Sequence, residues 1–101
     1  MKVVYTEQSL NSLEELLIFL MEDLGLSLDK TSEVKAKILD KADSLMNHPY
    51  KGQFEEYLEH LGKGHRRLIE GYTKIIYLVK EDCIYITDFF DTRQDPAKMK
   101  G

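Results

Sequence analysis

The final third of the chain, residues 65–96, contains three consecutive segments with the composition of β-strands. The two longest, residues 72–79 (YTKIIYLV) and 83–90 (CIYITDFF), are rich in β-branched and aromatic residues. Only three residues separate them, which is the length of a hairpin loop. Residues 66–70 form a shorter segment that stops at Gly71, a residue suited to a tight turn. The pattern predicts an antiparallel meander with residues 72–79 at its centre.

Both faces of the predicted strands carry apolar side chains. Because side chains alternate between faces along a strand, the central strand is divided into two sets: Tyr72, Lys74, Ile76 and Leu78, and Thr73, Ile75, Tyr77 and Val79. The last strand is divided in the same way: Ile84, Ile86 and Phe90, and Cys83, Tyr85 and Phe89. A half-solvated strand would instead alternate apolar with polar residues. We expect the chain's own helices to cover one face, while the other face has to find cover elsewhere.

Two amphipathic helices are predicted before these strands. The first begins at a cap, Thr6, and ends at Gly25. Its apolar residues recur at helical spacing: Leu10, Leu13, Leu17, Leu20 and Leu24, with Leu16 and Met21 beside them. The second helix has three alternative caps, Asp29, Thr31 and Ser32, and stops at Pro49. The predicted core positions on the two helices are Leu13, Leu17, Leu20, Val34, Ile38 and Leu45.

The remaining segments complete an α+β fold. Residues 2–5 are predicted to form a strand that joins the sheet, but the sequence does not determine which strand it pairs with. Residues 50–64 predict an irregular connection with about one helical turn, and residues 97–101 a tail that frays. We therefore expect one domain over residues 1–101, with an N-terminal strand and an antiparallel two-helix hairpin packed on a three- to four-stranded antiparallel sheet.

Composition and charge exclude several classes of function. The chain is 43% hydrophobic and 32% charged, as ordinary globular proteins are. Residues 1–47 hold nine acids and five bases, whereas residues 48–101 hold nine of each, so the acidic excess lies in the helical half. Such a balance does not support bulk electrostatic attraction to nucleic acid. There is neither a signal-peptide pattern nor an apolar run of membrane length, so we expect a cytoplasmic protein with no membrane partner.

The cysteine and histidine residues give no indication of a cofactor. Cys83 is the single cysteine, and its position in a strand favours a small buried hydrophobe over a nucleophile. His48, His60 and His65 show no metal-ligand spacing with one another or with Cys83. We expect no metal and no cofactor.

The order of the motifs carries a resemblance to a known family. A strand and a helical hairpin are followed by Pro49-x-x-Gly52, a strand with Arg67, the segment 74–77 (KIIY) and the segment 93–96 (RQDP). This arrangement resembles the RelE/ParE superfamily of toxins from bacterial type II toxin–antitoxin systems, which are also known as plasmid stabilisation proteins. The resemblance covers nearly the whole chain. It implies a growth-inhibiting toxin that a cognate antitoxin holds inactive.

The resemblance also implies roles for individual residues. RelE-like members cut messenger RNA on the ribosome, and ParE-like members poison DNA gyrase. In the RNA-cutting members, basic residues on the sheet stabilise charge at the scissile phosphate while a Tyr, His or Glu assists proton transfer. Arg67, Lys74 and Arg93 match the family's basic positions. Together with Arg66 and Tyr77, they are the residues expected to bind the target or the antitoxin.

The chain departs from the RNA-cutting pattern at two places. Ile69 stands where many of those members have another basic residue, and neither His nor Tyr follows Arg93. His65 and Tyr85 are weak substitutes for the proton-transfer group, and His65 fits a solvated strand edge better. Arg93 is equally suited to a salt bridge with Asp91 or Asp95. These departures favour a ParE-like protein that acts on gyrase.

Other functions stay open at this point. A RelE-like enzyme that cuts messenger RNA on the ribosome is the main alternative, so whether the chain is an enzyme is undecided. The chain could also be a diverged, non-toxic interaction module. Finally, an open sheet face could form a homodimer or a hetero-oligomer with the antitoxin.

Overall fold

The structure is a computed structural model that describes residues 1–101. The protein consists of a five-stranded sheet with two helices packed on one face. The strands and α-helices, in chain order, are β1 (Lys2–Tyr5), α1 (Glu7–Glu22), α2 (Leu28–Asp43), β2 (Gln53–Phe54), β3 (Arg66–Glu70), β4 (Thr73–Lys80) and β5 (Cys83–Asp91). Short 3-10 helices cover Ser44–Met46, Glu56–Leu61 and Pro96–Lys98. No helix combines the length and the apolar composition that a membrane span requires.

The strands are ordered β1-β5-β4-β3-β2 across the sheet. Strands β2 to β5 pair antiparallel with their neighbours, whereas β1 lies parallel to β5. A parallel pair needs a long crossover, which the two helices provide here. The predicted α+β class and the meander of β3, β4 and β5 are confirmed. The sheet has one strand more than expected because Gln53 and Phe54 pair with β3 inside the segment predicted to be irregular.

The helix starts follow side-chain capping. Thr6 caps α1 as predicted, since its hydroxyl accepts the N–H of Ser9 at 3.1 Å. The cap of α2 is Ser27, whose hydroxyl accepts the N–H of Lys30 at 3.1 Å. The three predicted caps were therefore wrong. Ser27 is the cap because its extended backbone leads the chain into the helix before Asp29, Thr31 and Ser32 are reached.

The main core lies between the helices and the sheet. Four predicted core residues, Leu13, Leu20, Ile38 and Leu45, are buried. The other two, Leu17 and Val34, are partly buried against the same core. The predicted stripe is too wide at its ends, since Leu10 is 53% exposed and Leu24 is 38% exposed.

A β-bulge changes which faces the residues of β5 occupy. Ile76 pairs with Asp88 and Tyr77 with Ile86, so Thr87 is an extra residue in β5. Ile86 and Phe89 therefore lie together in the helix-side core, whereas Phe90 lies on the opposite face with Ile76. The prediction that Phe90 shares a face with Ile84 and Ile86 was wrong, because strict alternation fails across a bulge.

The second face of the sheet is partly covered by the chain itself. Leu58 from the 3-10 helix and Met99 from the C-terminal segment pack on Ile76 and Phe90. Met99 is only 8% exposed, and the N–H of Lys100 donates to Oδ2 of Asp88 at 2.8 Å. The expectation of a fraying tail was therefore wrong. The C-terminal segment packs on the apolar face opposite the helices because this contact buries its largest apolar side chain, that of Met99.

Candidate functional site

Two of the predicted basic residues, Arg67 and Lys74, lie on the second face and meet at one buried carboxylate, that of Glu55. Lys74 Nζ donates to Glu55 Oε1 at 2.6 Å, and Arg67 Nη1 lies 3.7 Å from Oε2. The carboxylate side chain is 1% exposed, and the two cationic side chains are each about one-fifth exposed. Both positive charges are therefore compensated inside the chain.

Sequence reasoning missed Glu55. Its position directly after β2 lets it point along the same face as Arg67, because Gln53 pairs with Arg67 and side chains alternate. The carboxylate also accepts the N–H of Tyr57 at 3.2 Å and so caps the 3-10 helix Glu56–Leu61. An acid at the first turn of a short helix was the available signal, but only the register of β2 shows that it meets Arg67 and Lys74.

Arg66 and Tyr77 hold the Pro49-x-x-Gly52 segment against the sheet. The N–H of Gly52 donates to the Tyr77 hydroxyl at 2.9 Å, and Arg66 Nη1 donates to the Gly52 carbonyl at 2.7 Å. A Cβ at position 52 would lie 2.5 Å from the Tyr77 hydroxyl, so this approach requires glycine. Tyr77 is fully buried, and burial raises its pKa. No partner can reach Tyr77 here, so the structure gives it a packing role in place of the expected contact.

The guanidinium of Arg66 is stacked between aromatic rings at the β2 edge. It lies 4.1 Å from the ring centre of Phe54 and 5.3 Å from that of Tyr50. Both rings are about 60% exposed. Arg66 therefore holds these two exposed rings in place, while its guanidinium donates hydrogen bonds to backbone carbonyls.

Arg93 lies after the end of β5 and is held by Asp91. Its Nε and Nη2 donate to the two oxygens of Asp91 at 2.9 and 2.7 Å, and this hydrogen bonding raises the pKa of Arg93. The guanidinium also lies 4.0 Å from the ring centre of Tyr72. The expected salt bridge to Asp91 is thus present, and it places Arg93 and the exposed Tyr72 side by side.

Arg93 and Tyr72 line a cavity of about 310 Å³ near the ends of the helices. Its apolar wall is formed by Leu20, Leu26 and Val34. Because these residues belong to the helix side, Arg93 is separated by the sheet from Arg67 and Lys74. The three basic residues do not form one cluster.

His65 is buried rather than solvated. It is 2% exposed. The expectation of a solvated edge residue was wrong, because Gly101 lies against the ring. Burial lowers the pKa of His65 and so favours the neutral ring. A hydrogen bond with the backbone of Gly101 opposes this shift, and the charge of Lys63 adds to it.

The cavity beside His65 and Glu55 is acidic. It has a volume of about 460 Å³, and Glu56 and Glu59 stand on its rim. Neither carboxylate is paired with a base. A negatively charged phosphate would be repelled at this entrance.

Tyr85 lies far from Arg67 and Lys74. It pairs with Leu78, four residues along β4 from Lys74, which corresponds to about 13 Å. Hydrogen bonding with the neighbouring Cys83 raises the pKa of Tyr85. The structure therefore does not bring Tyr85 into contact with the basic pair.

One half of the second face stays open. Tyr85 pairs with Leu78 on one side and with Val4 on the other, so the three side chains share the face opposite the helices. All three are only partly buried. Beside them, β1 is an edge strand with unpaired backbone groups. No group of three or more His, Cys, Asp or Glu side chains converges as a metal site.

Comparisons by sequence identify no relatives. No protein-family model matches the chain, and no curated protein matches it either.

Comparison by structure gives a clear result. The chain superposes on a chain described as the chromosomal ParDE TA system from P. aeruginosa, with a TM-score of 0.72 and 18% sequence identity. The match covers 90% of this chain and 95% of the other. At this identity the likeness establishes the fold. The chain has a RelE/ParE-like fold.

Proposed function

We propose that this chain is the toxin of a type II toxin–antitoxin system, that it is ParE-like, and that it acts on DNA gyrase. The fold supports the general class, since a chain of a ParDE system superposes on nine-tenths of this one. The observation that carries the choice of target is the compensation of Arg67 and Lys74 by the buried Glu55. Cations that are already paired are poorly placed to stabilise new charge on a phosphate.

A second observation favours a protein target. Arg93 stacked on the exposed Tyr72 beside an apolar cavity has the composition of an interface centre, where Arg, Tyr and apolar pockets are enriched. This patch lies on the helix side, away from the acidic entrance at Glu56 and Glu59. Binding of gyrase at this patch would need no RNA-cleaving group.

The antitoxin would cover the open half of the second face. Val4, Leu78 and Tyr85 offer a shallow apolar surface, and the free edge of β1 can accept an added strand. Hydrogen exchange with and without the product of the adjacent open reading frame tests this placement. We expect slower exchange in β1 and β5. Unchanged exchange there would show that the partner binds elsewhere or not at all.

Expression tests the toxin assignment itself. The chain expressed alone should arrest growth, and coexpression with the neighbouring reading frame should restore it. Growth that is unaffected by the chain alone would favour the diverged, non-toxic interaction module. A stable homodimer without toxicity would favour self-association through the open face.

The RNA-cutting alternative has one observation in its favour. Glu55 is a carboxylate within hydrogen-bond reach of a lysine, so the proton-transfer group that the sequence lacked could be Glu55. Both of its oxygens are engaged and its side chain is 1% exposed, which opposes this role. Ribosome-dependent cleavage of messenger RNA that is lost in Glu55→Gln, His65→Gln or Tyr85→Phe would restore the alternative.

A further inference from the structure

The cavity beside Arg93 and Tyr72 has an apolar interior. Four aliphatic side chains line it: Leu20, Leu26, Val34 and Ile38. Leu26 and Val34 are half-buried, so part of their apolar surface is open to a partner. The volume of about 310 Å³ is near the lower limit for binding sites, so the cavity admits one side chain rather than an extended ligand.

Arg93 presents a free donor at the rim of this cavity. Its Nε and Nη2 donate to Asp91, whereas Nη1 forms no hydrogen bond within the chain. The side chain of Arg93 is 37% exposed, so the guanidinium is accessible. Because the ring of Tyr72 lies 4.0 Å from the guanidinium, the orientation of this free donor is defined.

Lys37 provides a second free donor on the same rim. It is exposed and forms neither a salt bridge nor a hydrogen bond within the chain. Two carboxylates also line the cavity. That of Asp91 is 1% exposed and is paired with Arg93, whereas that of Glu70 is half-buried and has no partner. Two free cationic donors therefore face one free carboxylate.

The surroundings of Glu70 are basic on balance. Glu70 also borders a shallow cavity of about 470 Å³ that is lined by Lys37, Lys41, Lys51 and Asp40. None of these lysines forms a salt bridge. Three lysines thus outnumber two carboxylates here, although residues 1–47 as a whole carry an excess of acids. This end of the surface is complementary to an acidic group of a partner.

We infer that the cavity receives an aromatic side chain of the target protein, and that an acidic residue next to it in the target lies between Arg93 Nη1 and Lys37 Nζ. An aromatic ring offers a large apolar area at a low cost in conformational entropy, and such anchors are enriched at the centres of interfaces. The inference rests on the proposed function, since it names the group of the target that Arg93 and Tyr72 recognise.

The first test uses three blocked dipeptides as probes of the unaltered protein. Amide chemical shifts of a ¹⁵N-labelled sample are followed during titration with N-acetyl-phenylalanyl-glutamyl amide, with its glutaminyl analogue and with N-acetyl-alanyl-glutamyl amide. We expect saturable shifts around Val34 and Gly71 with the first peptide. Loss of the charge should weaken binding about two- to fivefold, and loss of the ring at least about tenfold.

Two results of this titration would overturn the inference. One is the absence of saturable shifts around the cavity with the first peptide. The other is equal binding of the first peptide and either of its analogues, because the inference requires both the ring and the carboxylate.

The second test uses variants that break no ion pair or hydrogen bond. Lys37→Gln should weaken binding of the first peptide about two- to fivefold, and Glu70→Gln should strengthen it by a similar factor, since it removes the free carboxylate from the rim. Lys35→Gln is the matched control, because Lys35 is exposed on the same helix but lines a different cavity. Weaker binding in Glu70→Gln, or equal binding in Lys37→Gln and Lys35→Gln, would contradict the inference.

Supercoiling by gyrase separates this inference from the proposed function. Peptide binding as expected, together with uninhibited supercoiling, would refute gyrase as the target and leave the cavity as a site for another protein. Inhibited supercoiling without peptide binding would refute the inference and leave the proposed function intact.

Discussion

The ammonium of Lys74 and the carboxylate of Glu55 form the shortest ion pair in the protein, with 2.6 Å between Nζ and Oε1. The pair joins the middle of the sheet to the segment that follows β2. Arg67 approaches the same carboxylate at 3.7 Å, so one buried acid serves two bases. Arg67 and Lys74, the basic residues that resemble a phosphate site, therefore help to hold the edge of the sheet in place.

Glu55→Gln should lower the free energy of unfolding by about 1–3 kcal/mol. The amide leaves Lys74 and Arg67 without a compensating charge, but both side chains are about one-fifth exposed and water screens part of the loss. Urea denaturation measures the change. The neighbouring Glu56→Gln is the control, because Glu56 is exposed, and it should change stability by less than about 0.5 kcal/mol. Equal effects of the two variants would show that the pairing contributes nothing.

Tyr77→Phe should destabilise the fold by about 1–3 kcal/mol, since it leaves the buried N–H of Gly52 without an acceptor. Tyr57→Phe is a matched control, as Tyr57 is 56% exposed. Gly52→Ala should cost more than Tyr77→Phe, because its Cβ would also lie 2.5 Å from the carbonyl oxygen of Arg67. Thermal melting of the three variants checks this order. A tolerated Gly52→Ala would contradict the close approach.

Ile38→Ala should cost about 2–5 kcal/mol, because Ile38 is fully buried in the helix-side core. Leu17→Ala should cost less, since Leu17 packs only at the margin of that core. Leu10→Ala, at a position that is 53% exposed, is the control and should have the smallest effect. Chemical denaturation measures all three. A change below about 0.5 kcal/mol at Ile38 would mean that the helices pack differently.

Stability should fall as the pH drops below about 6.5, the ordinary pKa of histidine, in a way that depends on His65. Burial lowers the pKa of His65 in the folded protein, so below this pH the unfolded chain takes up a proton that the folded chain excludes. The contribution of neutral His65 to stability is complete above the pKa that His65 has in the unfolded chain. It is lost as the pH falls towards the lower pKa that His65 has in the folded protein. Denaturation at pH 7.5 and 5.5 should show a smaller pH effect in His65→Gln than in the exposed control His60→Gln. An identical pH effect in both variants would contradict the burial of His65.

Much of the fold follows from the sequence because its patterns are local. The three strands 66–70, 73–80 and 83–91 lie where β-branched and aromatic residues cluster, and Thr6 caps α1 as its position indicates. The bulge at Thr87 could not be predicted, because it depends on the register between two strands. One unpaired residue was enough to move Phe89 and Phe90 to unexpected faces.

The candidate site was harder to predict than the fold. The sequence identifies Arg67, Lys74 and Arg93 as basic positions and offers Asp91 as a nearby partner for Arg93, but it does not show that Glu55 compensates Arg67 and Lys74. That pairing arises only because β2 brings Glu55 beside β3 and β4. Burial of His65 depends in the same way on Gly101, which lies 36 positions further along the chain.

Two variants test the proposed target patch, which consists of Arg93 and Tyr72. Arg93→Ala leaves Asp91, whose side chain is 1% exposed, without its cation, so the variant must be shown to be folded by circular dichroism. Tyr72→Ala removes the other member of the patch without leaving a buried charge. Lys80→Ala, at an exposed position in the hairpin, is the control. Both patch variants should weaken action on the target, and the control should not.

The most direct test of the account is DNA supercoiling by gyrase in the presence of the purified chain. We expect the unaltered protein and Lys80→Ala to inhibit supercoiling, Tyr72→Ala and Arg93→Ala to inhibit it less, and His65→Gln and Tyr85→Phe to inhibit it fully. Uninhibited supercoiling, together with ribosome-dependent cleavage of messenger RNA by the same preparation, would contradict the account.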